Sequence, residues 1–322
     1  MSNQENNTVT AIKGIRVGHC SDSSGGTGVT VILFDRPACG AVDVTGMATS
    51  TRQIDSLDMI HPGTAVHGIC LAGGSAFGLD AASGVTRYLV EQGIGLDLVV
   101  AKVPVVPTAV IFDLSFMNSH ARPTPDMAYE ACKAASDAPV EQGCIGAGTG
   151  ATCGKLRGVA HGTKAGLGSS LVPGANGVLM GALVVANPFG DVLDEKGRII
   201  AGAREGQSFL NMQDAIARGE IRERFGAAGN TTLCVLVTDA SLDKITAMQV
   251  ARMAGQGLSR HISPYNTPLD GDMVFCFSVG DKQSHPLHLG VVAARAAGRA
   301  LLNAVSHARE MGGIPASRDM MG

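Results

Sequence analysis

Tryptophan is missing from this 322-residue chain, tyrosine occurs only 3 times, and charged residues make up just 16% of it. Against 45% hydrophobic residues, so little charge excludes a disordered chain and leaves a globular one with a large core. Lysine and arginine number 25 against 28 acidic residues, and nowhere do they run densely enough to track a phosphate backbone, so nucleic acid is not an expected partner. The start, MSNQENNTVT, lacks the cationic residues and apolar stretch of a secretory signal. The most apolar region, residues 96–116, is broken by Lys102, Pro104, Pro107 and Asp113, which a membrane-spanning helix rarely tolerates together. A soluble, cytoplasmic protein is expected, with no membrane partner.

Metal-site spacing is lacking too. The eight cysteines (Cys20, Cys39, Cys70, Cys132, Cys144, Cys153, Cys234, Cys276) contain no C-x-x-C pair and read as reduced, mostly buried small hydrophobes. His285 and His288 stand at helical i, i+3 spacing without a third ligand, which suits surface or capping roles. No metal and no cofactor is implied. Internal repeats, low-complexity tracts and long linkers are absent as well, so residues 1–322 read as a single domain.

Apolar, β-branched runs bounded by Gly, Pro or Asp predict strands over 28–34, 65–71, 98–103, 178–186, 232–238 and 273–279. Helical patterns cover 77–92, 126–135, 205–218, 242–259 and 288–311, the last with Leu289, Val292, Ala293, Ala296 and Ala300 near a 3.6-residue period. They do not alternate regularly with the strands, which favours a layered α+β sandwich over a Rossmann sheet. Among the 43 glycines, Gly-rich segments stand out in two areas. Residues 71–78 read as a strand turning into a helix. Ser75 fails the nucleophile-elbow pattern because Phe77 stands where Gly is required, so these glycines are expected to allow close helix-on-strand packing. The loops of 143–168 are too glycine-rich for core helices and are expected to bring backbone N–H groups, with Lys155 or Lys164, near a ligand.

The most informative stretch runs from Phe225 to Thr238. A Gly/Ala approach leads to Asn230, and Thr231 then opens an apolar strand that would fix its hydroxyl. Attack of that hydroxyl on the preceding carbonyl would turn the Asn230–Thr231 amide into an ester, and hydrolysis would free Thr231 as a new N-terminus. Its α-amine, with an ordinary pKa of roughly 7.7–8.0, can then act as base for its own hydroxyl, so no Ser-His-Asp triad is needed. The tripeptide also fits a glycosylation acceptor. Farther on, Asp270 and Asp272 stand two apart at the head of another apolar strand, where both carboxylates can share a face. Such a pair can order a hydroxyl and an amine, or simply sit in a solvated turn.

These segments, in order, resemble the L-aminopeptidase D-amidase/esterase family of N-terminal-nucleophile hydrolases. The likeness spans Val17-Gly18-His19, Gly28 to Ile32, Cys70 to Asp80, Gly146-Ala147-Gly148, Gly229-Asn230-Thr231-Thr232 and Asp270-Gly271-Asp272, nearly the whole chain. It implies a four-layer α/β/β/α sandwich, self-cleaved between Asn230 and Thr231 into pieces 1–230 and 231–322 that stay together. It also implies Thr231 as nucleophile, Lys155 as an active-site lysine and Asn187 as donor to the oxyanion. Asp-Gly-Asp is similar to the nylon-oligomer (6-aminohexanoate oligomer) endo-hydrolase branch, where β-aminopeptidases carry Ser and Glu. At Phe112 the family usually has Tyr in the oxyanion or substrate site, and Phe112 cannot donate a hydrogen bond. Either Asn187 and backbone groups suffice, or amide specificity and rate differ. The resemblance implies an amidohydrolase of linear amides, working as a homo-oligomer, a tetramer for instance. The alternatives are an aminopeptidase/D-amidase of short peptides and amino-acid amides, or an acyltransferase similar to ornithine acetyltransferase.

Overall fold

Side chains alternate across a strand, so a strand apolar on both sides needs a partner layer on each face. Here that demand is met by folding one continuous ladder into two stacked layers. The computed structural model describes residues 6–220 and 229–320. Its nine-stranded sheet comprises β1 (Ile15–Asp22), β2 (Thr27–Val44), β3 (Thr51–Arg52), β4 (Val66–Ala72), β5 (Thr108–Val110), β6 (Leu167–Pro173), β7 (Leu179–Asn187), β8 (Thr231–Ala240) and β9 (Met273–Lys282). The order is β6-β7-β8-β9-β2-β4-β5-β3, with β1 also on β2. Strand β2 belongs to both layers. Its first half pairs with β1 and β4 and its second with β9, and the register breaks between Leu33 and Ala38, where Asp35, Arg36 and Pro37 are exposed. Proline has no N–H to give a ladder, so a break is where it fits.

Three apolar layers follow. Between the sheet halves lie Ile32, Phe34, Leu183, Val235, Phe275 and Phe277, with the Phe34 and Phe277 rings 5.1 Å apart. Outside one half, Val29, Val31 and Cys70 pack against α1 (Ala82–Glu91) and α2 (Pro125–Ala134). A short α3 spans Met212–Ala217, and outside the other half α4 (Lys244–Ser259) and α5 (Pro286–Ser306) pack on Ala182, Val184, Cys234 and Cys276. The result is the α/β/β/α sandwich. Small residues make the layers tight: a Cβ on Gly168 of β6 would lie 2.1 Å from the Ala300 carbonyl oxygen of α5. Helices α2, α4 and α5 start on side-chain caps, whereas α1 has none. Thr124 accepts from the Met127 N–H, Asp243 from the Thr246 N–H, and the His285 ring from the Leu287 N–H. His288 accepts from the Ala175 N–H, so both histidines cap backbone donors.

Several element boundaries differ from the sequence expectation. Residues 98–103 are not a strand: Leu96–Asp97 and Lys102–Val103 form a hairpin whose apolar tip is exposed, Val99 by 97% with a φ of 70°. The apolar run misled because nothing packs on that tip. The stretch 205–218 is helical only at α3, since Gly206 turns a second small hairpin, Arg204–Glu205 with Ser208–Phe209, and Asn211 then caps the helix. Before α1, residues Ser75–Ala81 wind as a 3-10 helix, and α5 stops at Ser306. Cysteines 70, 132, 153, 234 and 276 are buried and free, while Cys20, Cys39 and Cys144 are half-buried. Among the described residues no helix is long and apolar enough to cross a membrane.

Candidate active site

The ladder itself assembles the site. Antiparallel register sets Asn187, the last residue of β7, opposite Thr231, the first of β8. The parallel β8–β9 pairing sets the residues before β9 beside those before β8, so Asn230 bridges Asp270. Strand β5 ends at the same edge and delivers Phe112. Thr231, Asn187, Lys155, Asp270 and Asp272 are each at most 4% exposed. The structure brings Asn230, Thr231, Asn187, Lys155, Asp270, Asp272 and Phe112 to one place. The approach from Phe225 to Ala228 lies outside the described residues.

At the centre, the Thr231 hydroxyl donates to the carbonyl oxygen of Asn230, 2.5 Å away. The same oxygen receives the Gly271 N–H at 2.8 Å. This second donor went unnoticed in the sequence, where Gly271 looked like a spacer between two aspartates. Asn230 itself is buried, with its Nδ2 on the Leu269 carbonyl, which rules out its use as a glycan acceptor in the folded chain.

Neither aspartate is a solvated turn residue. Asp272 accepts the Thr232 N–H at 2.6 Å and the Asn266 N–H at 3.3 Å. Asp270 accepts the Phe189 N–H at 3.0 Å and both N–H and hydroxyl of Thr267. Burial pushes the carboxyl of Asp272 up to about 8, with Asp270 beside it adding to the rise, and burial raises Asp270 in the same direction. Lys155 is buried too, which brings its amine down to about 7 although Asp270 pulls the other way. Burial thus shifts the carboxyls of Asp270 and Asp272 up and the amine of Lys155 down, each toward its neutral form.

Lys155 does not hold the carboxylates. Its Nζ donates to the Asn187 side-chain oxygen at 2.7 Å and main-chain oxygen at 3.0 Å. The Thr152 N–H joins on the same Oδ1 at 3.1 Å, so the Asn187 amide is oriented with Nδ2 toward Phe112. One Nδ2 hydrogen goes to the Phe112 carbonyl at 3.1 Å, and an amide nitrogen has a second to give. Lys164, grouped with Lys155 in the sequence, plays another part. It is fully buried and donates to the carbonyls of Gly148, Ala151 and Ala165, tying down the loop that leads to Thr152. The glycines at 73 and 74 likewise serve a buried acid more than a helix. Gly74 N–H and the Thr27 hydroxyl each donate to Asp113 at 2.7 Å, and a Cβ on Gly73 would meet its Oδ2 at 1.9 Å. Burial raises Asp113 to about 6.

The model of peptidase family S58 matches residues 7–318. The chain belongs to that family. It is 37% identical to an uncharacterized aminopeptidase of Mycobacterium tuberculosis (strain ATCC 25618 / H37Rv), over 98% of both chains. A 6-aminohexanoate-oligomer endohydrolase of Kocuria sp. (strain KY2) is 30% identical over 83% of this chain and 74% of its own. In solved structures, the fold is similar to that of the L-aminopeptidase D-Ala-esterase/amidase of Ochrobactrum anthropi, described as a variant of the Ntn-hydrolase fold. That match has a TM-score of 0.74 at 20% identity and covers 96% of this chain and 88% of that one. This S58 protein is a hydrolase that acts on amides.

Proposed function

We propose that this S58 protein cleaves itself between Asn230 and Thr231 and then hydrolyses linear amides through an acyl-enzyme on Thr231. The observation that carries the reading is the Thr231 hydroxyl lying against the carbonyl of its own preceding peptide bond, with the Gly271 N–H on the same oxygen. In the first reaction the hydroxyl oxygen bonds to the Asn230 carbonyl carbon. Negative charge gathers on the carbonyl oxygen, where the Gly271 N–H stabilises it. The C–N bond then breaks, the Thr231 nitrogen takes up the proton that the hydroxyl gives away, and water hydrolyses the resulting ester. In the second reaction the freed α-amine takes the hydroxyl proton as Thr231 attacks a substrate carbonyl, and returns a proton to the leaving amine. Asn187 offers its uncommitted Nδ2 hydrogen to the new oxyanion. Lys155 holds that amide in place, and Asp270 and Asp272 order the backbone around Thr232 and Phe189 and face the new amine. Phe112 supplies a wall of the substrate site.

Asp-Gly-Asp and the likeness to the Kocuria enzyme support 6-aminohexanoate oligomers as substrates. A second reading, an aminopeptidase taking the first residue from short peptides and amino-acid amides, is favoured by the mycobacterial relatives and their printed name. One assay separates them: a linear oligomer is offered with its amine free and with its amine acetylated. Endo action predicts cleavage of both, whereas an enzyme that cuts only the free-amine form is an aminopeptidase. Thr231→Ala is expected to leave one uncut, inactive chain, and a variant that still splits would remove Thr231 from its role. A homo-oligomer of cleaved protomers, a tetramer for instance, completes the reading and is checked by light scattering under native conditions.

A further inference from the structure

We propose that the Phe112 ring gauges the acyl side of both reactions, barring any side chain on the residue before the one that is cleaved. The inference rests on Thr231 being the nucleophile. A Cβ built on Gly229 would fall 1.9 Å from Phe112 Cγ, 2.1 Å from its Cβ and 2.4 Å from its Cδ2. Real Cβ atoms do not approach so closely. Gly229 does not lie in the left-handed region that by itself calls for glycine, so the demand for a bare Cα comes from the ring.

Neither side of this contact can easily yield. The Phe112 carbonyl is held by Asn187 Nδ2, and the next residue, Asp113, is clamped by Thr27 and Gly74. On the other side, the Asn230 carbonyl takes the Gly271 N–H and the Asn230 side chain reaches Leu269. The ring therefore fills the space that a side chain on Gly229 would need, while Gly271 and Leu269 hold Asn230 in place.

The consequence reaches past self-processing. When the Thr231 oxygen bonds to the Asn230 carbonyl carbon and the nitrogen leaves with a proton, the product is an ester whose acyl chain is the segment ending Gly229-Asn230. That ester is chemically an acyl-enzyme, so the room its acyl chain occupies is the room an incoming acyl group must use. Counted from the reacting carbonyl carbon as the first, Gly229 Cα is the fifth atom of that chain. Acyl groups unbranched at the fifth atom fit: a glycine in the second position, or a plain polymethylene chain. An α-peptide with a side chain there meets the ring.

The test is a steric rescue. Freshly made wild type, Gly229→Ala, Phe112→Ala and the double variant are followed for cleavage by denaturing mass spectrometry. Gly229→Ala is expected to slow cleavage by about tenfold or more, and the double variant to return to within about threefold of Phe112→Ala alone, because removing the ring removes the overlap. If wild type cleaves and Gly229→Ala keeps pace, or the double variant stays as slow as Gly229→Ala, the gauge is wrong although the nucleophile stands. If wild type never cleaves at this bond, the underlying reading falls instead. Processed wild type gives a second readout that needs no altered precursor. Acetyl-Gly-Asn-p-nitroanilide should exceed acetyl-Ala-Asn-p-nitroanilide in kcat/KM by about tenfold or more. Phe112→Ala, if it matures, should narrow that ratio to about threefold, and equal rates on wild type would overturn the proposal.

Discussion

Asn187→Asp is expected to separate self-cleavage from turnover. Under the proposed mechanism the two reactions use different donors for the oxyanion. In the uncut chain the Asn230 carbonyl oxygen is served by the Gly271 N–H at 2.8 Å, while Asn187 points its Nδ2 at the Phe112 carbonyl and has one hydrogen to spare. Aspartate keeps the shape and still accepts from Lys155 Nζ and the Thr152 N–H, so the loop stays tied down, but it has nothing to donate. Losing one oxyanion donor costs about 10²–10³ in kcat. Self-cleavage, with its own donor intact, should slow by less than about tenfold. Both variants leave the Phe112 carbonyl without its donor; alanine is the harsher change because it also orphans the Thr152 N–H, at about 1–3 kcal/mol for each buried group left unpaired. The assay is paired: a denaturing mass time course for maturation, then kcat on an amide for matured protein, with thermal unfolding of Asn187→Asp and Asn187→Ala alongside. Equal losses in both reactions, or unimpaired turnover, would refute the division of labour between Gly271 and Asn187.

Other expectations follow from the same geometry. Burial lifts the Asp272 carboxyl from 3.8 to about 8, so folding favours its protonated form, a contribution whole below pH 3.8 and lost as pH climbs to about 8. Asparagine imitates that protonated form, and the melting temperature of Asp272→Asn relative to wild type should therefore rise steadily across this interval; a difference independent of pH would contradict it. Lys155 works in the opposite sense, since its lowered amine favours the neutral form and its contribution is lost as pH falls through about 7. Thr231→Ser, which keeps a hydroxyl on the same atom, should still cleave, and an uncut serine variant would argue that the hydroxyl is not what opens the bond. Gly168→Ala forces a Cβ to 2.1 Å from the Ala300 carbonyl oxygen, and overpacking of that kind costs about 1–3 kcal/mol; unchanged denaturant unfolding would show that α5 can shift without cost.

What the sequence made legible was mostly what periodicity and strand heads report. The apolar runs at 232–238 and 273–279 predicted β8 and β9 and put Thr231 and the aspartate pair each at a strand's head, while the parallel pairing that sets them side by side is visible only in the structure. The four-layer arrangement and the roles given to Lys155 and Asn187 came from resemblance, because nothing local says that a lysine in one loop meets an asparagine at the end of a distant strand. The apolar tip at 98–100 and the stretch 205–218 were misread since composition cannot tell an apolar run that packs from one that does not, or see a turn that Gly206 imposes. Long-range bookkeeping was invisible as well. That β2 serves both layers, that Lys164 satisfies three loop carbonyls, and that the Gly271 N–H aims at Asn230 depend on register and backbone direction, which no spacing encodes. Burial of the aspartate pair was left open for the same reason: a D-G-D turn looks alike in water and in a core.

The central claim is that Thr231 opens the bond before it. The most direct check is intact mass under denaturing conditions, on fresh and on aged protein. A single chain of 32.9 kDa is expected to give way to two pieces of about 23.5 and 9.4 kDa, in the ratio of 230 to 92 residues, the smaller beginning at Thr231. A chain that stays at 32.9 kDa through ageing, while remaining folded, would contradict it.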